Sequence, residues 1–394
     1  MVKGAVEESK DIKFVNIIDT TLRNGEQTAG VVFSKHEKIR IVKMLDEIGI
    51  PEIEIGTPSL GPLEREIIKE IIDSKPNSKL FTYCEAFPEN IAPAAKCGIK
   101  NVIINISTSD LHIKVKYGKT RTWVLNQLRE TISAARHSDL DFIISAEDAT
   151  RTDLEFLLKV LGIAEKKGAI RFRICDTVSR LDPFRTFLLL NTIINTTSFP
   201  IEVYNHNDFG MATANAMAAI RAGAKSLVTS VNGIGEGTGN AALEEIVMAL
   251  KYLEDIDLGI NTAKFREISE YVAKASARAI PVWKAIVGTN VFAHESGIHA
   301  DGVLKNPRNY EVFDPGEVGL TRQLVVGKHS GSHTILHKFK EFGIDLTINE
   351  ANDILAMSRA MAVDLKRPLF EKELMYIYNE YLEKKKVEEK EQEL

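Results

Sequence analysis

A cluster of polar side chains ends an apolar run near the N-terminus. The segment "FVNIIDTTLRNGEQTAG", residues 14–30, begins with β-prone apolar residues and then turns abruptly polar. A guanidinium among carboxylates and amides can bind a carboxylate or stabilise developing negative charge. A capped loop before the helix that "SKHEK" starts would also account for these residues. The residues of this cluster are Asp19, Arg23, Asn24, Glu26 and Gln27.

Similar apolar runs recur along the first two thirds of the chain, each separated from the next by room for a helix. The segment "LEFLLKVLGIAEKKG" has helical periodicity and closes on Gly168, as a helix C-terminus should. Strands alternating with helices over residues 14–254 predict a (β/α)8 barrel, with an open doubly wound sheet as the alternative. The eight runs are "FVNIIDTTL", "EIEIGTP", "LFTYCEAF", "NVIINIS", "DFIISAED", "RFRICDT", "IEVYNHND" and "SLVTSVNGIG".

Every one of these runs ends in polar residues. In a (β/α)8 barrel the C-terminal ends of the strands converge on one mouth, where catalytic groups collect. This convergence predicts an enzyme, and clustered carboxylates with His and Asn suit a hard divalent cation. The residues after the first run are Glu54, Thr57, Glu85, Ser107, Thr108, Glu147, Asp148, Asp176, Thr177, His206, Asp208, Asn232 and Glu236.

Composition restricts the class of partner. The chain has 394 residues, of which 44% are hydrophobic and 27% charged, and a formal net charge of -5. It therefore has no broad basic field for nucleic acid or an anionic membrane, and small molecules are the expected partners. Three cysteines without a CxxC pair predict a reducing compartment and no thiolate zinc site. No apolar signal or membrane-spanning stretch is present, so we expect a cytoplasmic protein.

The pattern changes after the barrel. We expect a catalytic barrel over residues 1–275 and a small α/β and helical appendage over residues 276–394. The appendage begins with a segment rich in Gly, Pro and His and ends in the charged helical tail "YLEKKKVEEKEQEL". Its first part contains His294, His299, His329 and His333, which serve either as loop hydrogen-bonding residues or as site residues.

Five separate motifs occur in order along the chain. They are "DTTLRNGEQTAGVVF", "HNDFGMATANAMAAIRAGA", "VNGIGEGTGNAALEEIVMAL", "HESGIHADGVLKNPRNYEVFDP" and "VVGKHSG". Together they resemble the homocitrate synthase and isopropylmalate synthase family of acyl-CoA condensing enzymes. The resemblance implies a (β/α)8 barrel, a divalent cation such as Mn or Mg, acetyl-CoA, a 2-oxo acid, and a homodimer with shared active sites. Without the extra regulatory domain of isopropylmalate synthases, the chain is more similar to short homocitrate-type members.

The resemblance also implies roles for individual residues. Arg23 matches the arginine that stabilises negative charge on the ketone oxygen of the 2-oxo acid. Glu147, with His299 and Tyr310 of the appendage, matches the proton-transfer set, and we expect the partner subunit to contribute the appendage residues. The positions expected to bind substrate are Gln27, Glu85 and Thr177.

The metal positions depart from the family pattern. They correspond to Asn24, Tyr204, His206 and Asn240, where the family has an acidic residue after the Arg and a His-x-His pair on the seventh strand. A neutral amide and a phenol are poorer ligands than a carboxylate and an imidazole. Asn205 is an alternative ligand from the same strand.

The predicted reaction is a Claisen-type condensation of acetyl-CoA with a short 2-oxo dicarboxylate, followed by thioester hydrolysis. Glu85 stands where related homocitrate enzymes carry a basic residue, and Ile143 stands on a strand without an Arg. We therefore expect a citrate synthase of the Re type, using oxaloacetate, with a homocitrate synthase using 2-oxoglutarate as the alternative. A related lyase and a catalytically silent partner subunit are the remaining hypotheses.

Overall fold

Eight parallel strands close into a barrel, in the order in which they occur along the chain. The computed structural model describes residues 15–392, so Phe14 of the first predicted strand and the last two residues of the tail lie outside the described part. All eight predicted strands form, and the closed barrel excludes the open sheet. The strands are β1 (Asn16–Asp19), β2 (Glu52–Glu54), β3 (Lys79–Glu85), β4 (Asn101–Ser107), β5 (Asp141–Glu147), β6 (Phe172–Asp176), β7 (Ile201–Asn205) and β8 (Ser226–Thr229).

Helices connect the strands, and their ends follow local sequence signals. A capping box of Ser34 and Glu37 starts α1, and Asp153 caps the start of α6. Gly168 follows α6 with φ near +85°, as the sequence predicted. The helices of this unit are α1 (Lys35–Glu47), α2 (Pro62–Asp73), α3 (Ile91–Lys96), α4 (Asp110–Val115), α5 (Arg121–His137), α6 (Leu154–Lys166), α7 (Pro183–Ile194), α8 (Ala212–Ala222), α9 (Leu243–Leu253) and α10 (Phe265–Ala275).

The barrel interior contains a layer of side chains contributed by seven of the strands. Because side chains alternate along a strand, every second residue points inward, and these inward residues pack on one another. The interior is therefore a packed core beneath the mouth. Its members are Ile18, Phe81, Ile103, Ile143, Cys175, Tyr204 and Val228.

The described part of the chain forms two compact units, which divide between Ile280 and Pro281. The second unit has a two-stranded parallel sheet of β9 (Ala293–His294) and β10 (Gln323–Leu324) and an apolar core that includes Ile335, Phe339 and Ile354. No helix within residues 15–392 is long and apolar enough to cross a membrane. The helices of the second unit are α11 (Gly297–Lys305), α12 (Ser332–Glu341), α13 (Ile348–Leu365) and α14 (Glu371–Gln392).

Candidate active site

A row of six alternating charges runs through the barrel interior to its mouth; we call it the charge row. At the end of the row farthest from the mouth, Arg171 donates to Glu52 and, at 2.6 Å, to Glu202. Glu202 also accepts from Arg173 Nε at 2.6 Å. Buried charges are tolerated when each has a partner of opposite sign. The members in order are Glu52, Arg171, Glu202, Arg173, Glu54 and Arg23.

Glu54 of β2 links the charge row to the mouth. One of its oxygens lies 2.6 Å from Arg173 Nη1, and the other accepts from Arg23 Nε at 2.7 Å and from Thr20 at 2.8 Å. Burial opposes ionisation of this carboxyl, but the charges of Arg173 and Arg23 lower its pKa to about 2. Glu54 is thus ionised at neutral pH and fixes the orientation of Arg23.

Arg23 is the buried cation at the mouth. Its guanidinium lies 4.5 Å above the ring of Tyr83 and 5.6 Å from that of Tyr204, and Nη1 donates to Gln27 at 3.4 Å. Within the described part of the chain, its Nη2 has no hydrogen-bond partner although it is buried. A buried donor without an acceptor is costly, so an oxygen of a bound molecule would satisfy it.

Asn24 belongs to a network of amides. Its side-chain oxygen accepts from Asn240 Nδ2 at 2.9 Å and from the backbone N–H of Glu236 at 3.2 Å. Its side-chain nitrogen donates to Gln27 at 2.8 Å. The structure therefore brings together three residues that the sequence predicted, and both polar atoms of the Asn24 side chain are already hydrogen-bonded.

Tyr204 and His206 lie side by side at the end of β7, with ring centroids 5.0 Å apart. Burial raises the pKa of the Tyr204 phenol well above its usual range, and burial lowers the pKa of His206. Both rings are therefore neutral. Asn205 points to the opposite side of the strand, where it lines a small cavity with Ile174 and Leu190, so the alternative of Asn205 as a ligand is wrong.

A second group at the mouth contains two carboxylates, Glu85 of β3 and Glu147 of β5. Asn105 donates to Glu85 at 3.4 Å and to Glu147 at 3.0 Å. Glu85 also accepts from Tyr83 at 3.3 Å, which joins this group to Arg23. Lys116, just after α4, donates to the two oxygens of Glu147 at 2.8 and 3.1 Å.

The two carboxylates have opposite pKa shifts. Burial raises the pKa of Glu85, and the nearby charge of Glu147 adds to that effect while Lys116 opposes it. Burial also acts on Glu147, but the hydrogen bonds and charge of Lys116 outweigh it and lower its pKa. The difference in pKa between the two carboxyls therefore comes from Lys116, which contacts Glu147 directly.

Thr177 does not join either group. Its hydroxyl accepts from the backbone N–H of Asp148 at 2.9 Å. Asp148 itself is buried, adopts a positive φ near 59°, and accepts from Arg151 Nε at 2.7 and 2.9 Å. These contacts stabilise the turn after β5. In this structure Thr177 therefore has a role in that turn and does not contact the Arg23 group or the Glu85 and Glu147 group.

His299 and Tyr310 lie in the second unit and contact each other, with ring centroids 4.3 Å apart. Both side chains are exposed. A separate group in this unit, in which only Glu311 is buried, joins His294 to Glu311 at 3.1 Å and Glu311 to Arg322 at 2.6 Å. The structure thus brings the two predicted appendage residues together, and their contribution to a partner's site stays a prediction.

The four predicted metal positions do not fit a hard divalent cation. The Asn24 oxygen is hydrogen-bonded, and the Tyr204 phenol is neutral and buried. His206 and the buried Asn240 oxygen, which has no hydrogen-bond partner within residues 15–392, are also neutral donors. Mg and Mn sites rely on carboxylate oxygens. Among the described residues, no three His, Cys, Asp or Glu side chains are grouped so that they could hold a metal ion.

Four residues that hold the site together were not predicted from the sequence as site residues. Glu54 was noted only as a strand-end residue, and Arg173, Tyr83 and Lys116 were not singled out. Alternating charges inside strand-like runs, as in "EIEIG" and "RFRIC", are unusual for a buried barrel strand and could have identified the charge row. Lys116 follows the β4 end closely, which is a position where barrel enzymes place site residues.

Comparison with known proteins identifies the family. Residues 14–272 match the HMGL-like family, and residues 286–366 match the "homocitrate synthase post-HMGL domain-like" family. The 2-isopropylmalate synthase 2 of Caldanaerobacter subterraneus subsp. tengcongensis is 54% identical over 96% of this chain and 98% of that protein. Homocitrate synthase 1 of Nostoc sp. is 46% identical over 93% and 97%. The (R)-citramalate synthase of Methanocaldococcus jannaschii is 41% identical over 95% and 76%.

Solved structures share the fold. The Bacillus subtilis HMG-CoA lyase structure has a TM-score of 0.62 and 21% identity, covering 68% of this chain and 96% of that one. An Acinetobacter baumannii HMG-CoA lyase has a TM-score of 0.63 and 16% identity, covering 72% and 98%. This chain belongs to the homocitrate synthase and isopropylmalate synthase family of enzymes.

Proposed function

We propose that the chain condenses acetyl-CoA with a 2-oxo acid and hydrolyses the resulting thioester. The observation that carries this proposal is Arg23, a buried guanidinium at the barrel mouth with one unpartnered N–H donor group. The relatives reported above are named as synthases of isopropylmalate, homocitrate and citramalate, which supports this reaction class.

The reaction needs three actions from the protein. A base removes a proton from the acetyl-CoA methyl group, and the enolate carbon attacks the ketone carbon of the 2-oxo acid. The ketone oxygen gains the negative charge, which Arg23 stabilises through Nη2. Water then cleaves the thioester and releases free CoA thiol.

Glu147 and Glu85 are assigned different parts. Glu147, held ionised by Lys116, is the carboxylate predicted for proton transfer, and Glu85, beside it on Asn105, is the carboxyl predicted to contact the substrate. His299 and Tyr310 complete the proton-transfer set in this proposal. We assign them to the neighbouring site of a homodimer.

For the 2-oxo acid, we propose 2-oxoglutarate, the substrate of a homocitrate synthase. The lack of a basic residue at Glu85 and Ile143 had favoured oxaloacetate, but Lys116 places a positive charge at the same mouth. The relatives named above include a homocitrate synthase and give no support to a citrate synthase. The ammonium has three donors, so it can contact a distal carboxylate while it keeps one of its two bonds to Glu147.

A second candidate is 2-oxoisovalerate, the branched substrate of a 2-isopropylmalate synthase. Two observations favour it: the 54% identity to a 2-isopropylmalate synthase, and the apolar side chains of Ile143 and Ile103 in the interior layer beneath the mouth. An apolar wall suits an apolar side chain better than a carboxylate.

A thiol-release assay separates these candidates. Purified protein receives acetyl-CoA and, in separate reactions, 2-oxoglutarate, 2-oxoisovalerate, oxaloacetate or pyruvate. We expect 2-oxoglutarate to give the highest kcat/KM, and the same assay without a 2-oxo acid measures background hydrolysis. No release above background with any of the four acids would contradict the proposed function and favour a silent subunit.

A further inference from the structure

The Asn24 oxygen cannot turn toward a cation without losing two donors. One of these donors is the backbone N–H of Glu236. A backbone N–H can only donate, whereas a side-chain amide can turn to present either its oxygen or its NH2 group. Reversing the Asn24 amide would set its NH2 group against that N–H and against Asn240 Nδ2. The orientation of the amide is therefore dictated by its neighbours.

The loop after β8 closes over the same pair of amides. A Cβ atom on Gly235 would overlap both Asn240 Nδ2 and Asn24 Oδ1. Asn240 Nδ2 donates in addition to the backbone carbonyl of Ile234 at 3.0 Å, which fixes its own orientation. Asn24 thus stands where the family has a carboxylate, and neither amide brings a negative charge to this place.

Tyr204 lies between two guanidinium groups. Its ring centroid is 5.6 Å from the Arg23 guanidinium carbon and 5.7 Å from that of Arg173. The two carboxylates that contact these arginines, Glu54 and Glu202, are engaged within the charge row. No carboxylate of the row is therefore left to neutralise a dication beside Tyr204.

The donors left at the mouth suit an oxygen of a substrate. Within the described residues, Arg23 Nη2 and the Tyr204 hydroxyl are both buried and have no hydrogen-bond partner. A single anionic or carbonyl oxygen can accept from a guanidinium and a phenol together, and charge-assisted bonds of this kind are strong.

We propose that this chain holds no divalent cation at its mouth, and that Arg23 and Tyr204 together bind and polarise the substrate oxygen that a metal serves in related enzymes. The inference about the cation depends only on which metal-binding atoms the side chains at the mouth offer. The part that concerns the substrate rests on the proposed function.

Manganese titration tests the cation part without any turnover. Each protein is first treated with EDTA and desalted, and Mn binding is then followed by calorimetry and by the EPR signal of free Mn. For wild-type protein we expect no saturable site up to roughly 1 mM Mn. For Asn24→Asp/Tyr204→His, which restores a carboxylate and an imidazole, we expect one Mn per chain.

A triple variant locates the restored site. Adding His206→Ala to Asn24→Asp/Tyr204→His removes the imidazole that the restored site would share, and it should abolish the Mn binding. One Mn per wild-type chain, lost in the single variant His206→Ala, would overturn the inference. The wild-type titration decides the question even if the multiple variants do not fold.

Activity then tests the substrate part. If the wild-type chain releases thiol, EDTA should leave kcat/KM within about twofold, and Tyr204→Phe should lower it about tenfold through the loss of one hydrogen bond. Unchanged kcat/KM in Tyr204→Phe would exclude the phenol from substrate binding. A chain that binds no Mn and condenses no 2-oxo acid would refute the proposed function and leave the cation inference standing.

Discussion

Asp19, at the end of β1, carries a carboxyl group that the fold buries completely. It accepts from the Thr21 N–H at 2.9 Å and from the Thr21 hydroxyl at 3.0 Å. Burial raises its pKa to about 7, with the charges of Glu54 and Glu244 adding to the increase and the hydrogen bonds of Thr21 opposing it. The folded protein therefore keeps this proton to a higher pH than the unfolded chain does.

The sign of the effect follows from proton binding. Between pH 4 and pH 7 the folded state binds more protons at Asp19 than the unfolded state, so the free energy of unfolding falls as the pH rises. A shift from 3.8 to about 7, at 1.36 kcal/mol per pKa unit, amounts to ~4 kcal/mol. We expect Asp19→Asn, in which the amide imitates the protonated carboxyl, to remove this pH-dependent loss of unfolding free energy.

Urea unfolding at pH 5 and at pH 8 measures the difference. A Trp283→Phe background leaves Trp123, in α5, as the only tryptophan, so fluorescence reports on the barrel. At pH 8 we expect Asp19→Asn to raise the free energy of unfolding by about 2–4 kcal/mol, after allowing ~1 kcal/mol for imperfect hydrogen bonds. At pH 5 the gain should be much smaller.

The exposed carboxylate Asp73, at the end of α2, supplies the matched control. Asp73→Asn should change stability by less than ~0.5 kcal/mol at either pH. The reasoning fails if Asp19→Asn changes stability equally at both pH values, because a pH-independent effect has no link to a buried titrating carboxyl. It also fails if the variant is less stable than the parent at pH 8.

Three further predictions concern activity. Arg23→Lys should lower kcat about 10²–10³-fold in the thiol-release assay, because Lys lacks the second nitrogen of the planar guanidinium. Its circular dichroism spectrum should be unchanged. Near-normal turnover would show that Arg23 takes no part in the mechanism. Inactive Glu147→Ala and His299→Ala proteins should regain partial activity when mixed under conditions of proven subunit exchange, and no recovery would argue against shared sites. Lys116→Met should raise KM for 2-oxoglutarate at least ~10-fold. The control Lys114→Met, on the exposed side of α4, should leave KM unchanged. A KM of Lys116→Met equal to that of the wild type would exclude Lys116 as the partner of the substrate carboxylate.

The barrel was predictable because its signal is local and repeated. The strand β4 has the same bounds as the predicted run "NVIINIS". The β8 strand is shorter than its run, since Asn232 adopts a positive φ near 60° and the chain turns after Thr229. Strand ends are thus set by turn geometry that apolar periodicity does not contain.

The site was predictable only as a set of residue types. The sequence placed Arg23 and Asn24 at a strand end, but the hydrogen bond from Asn240 to Asn24 joins residues far apart in the chain. Likewise, the bond from Lys116 to Glu147 depends on how α4 follows β4. Which lone pairs are occupied, and therefore whether a cation fits, depends on barrel register and loop closure rather than on composition.

The charge row makes four segments of the chain depend on one another: the loop after β1, β2, β6 and β7. A chimera that takes β6 and β7 from this chain and β2 from a parent without the matching carboxylates would leave Arg173 buried without Glu54 and Arg171 without Glu52. Breaking a buried ion pair in this way costs about 3–5 kcal/mol. Crossovers placed before β4 and just before α5 exchange Lys116 without touching the row. Recombination libraries built from this barrel should therefore tolerate exchange at β4 and lose folded members when the parents of β2 and of β6 and β7 differ in the charges of the row.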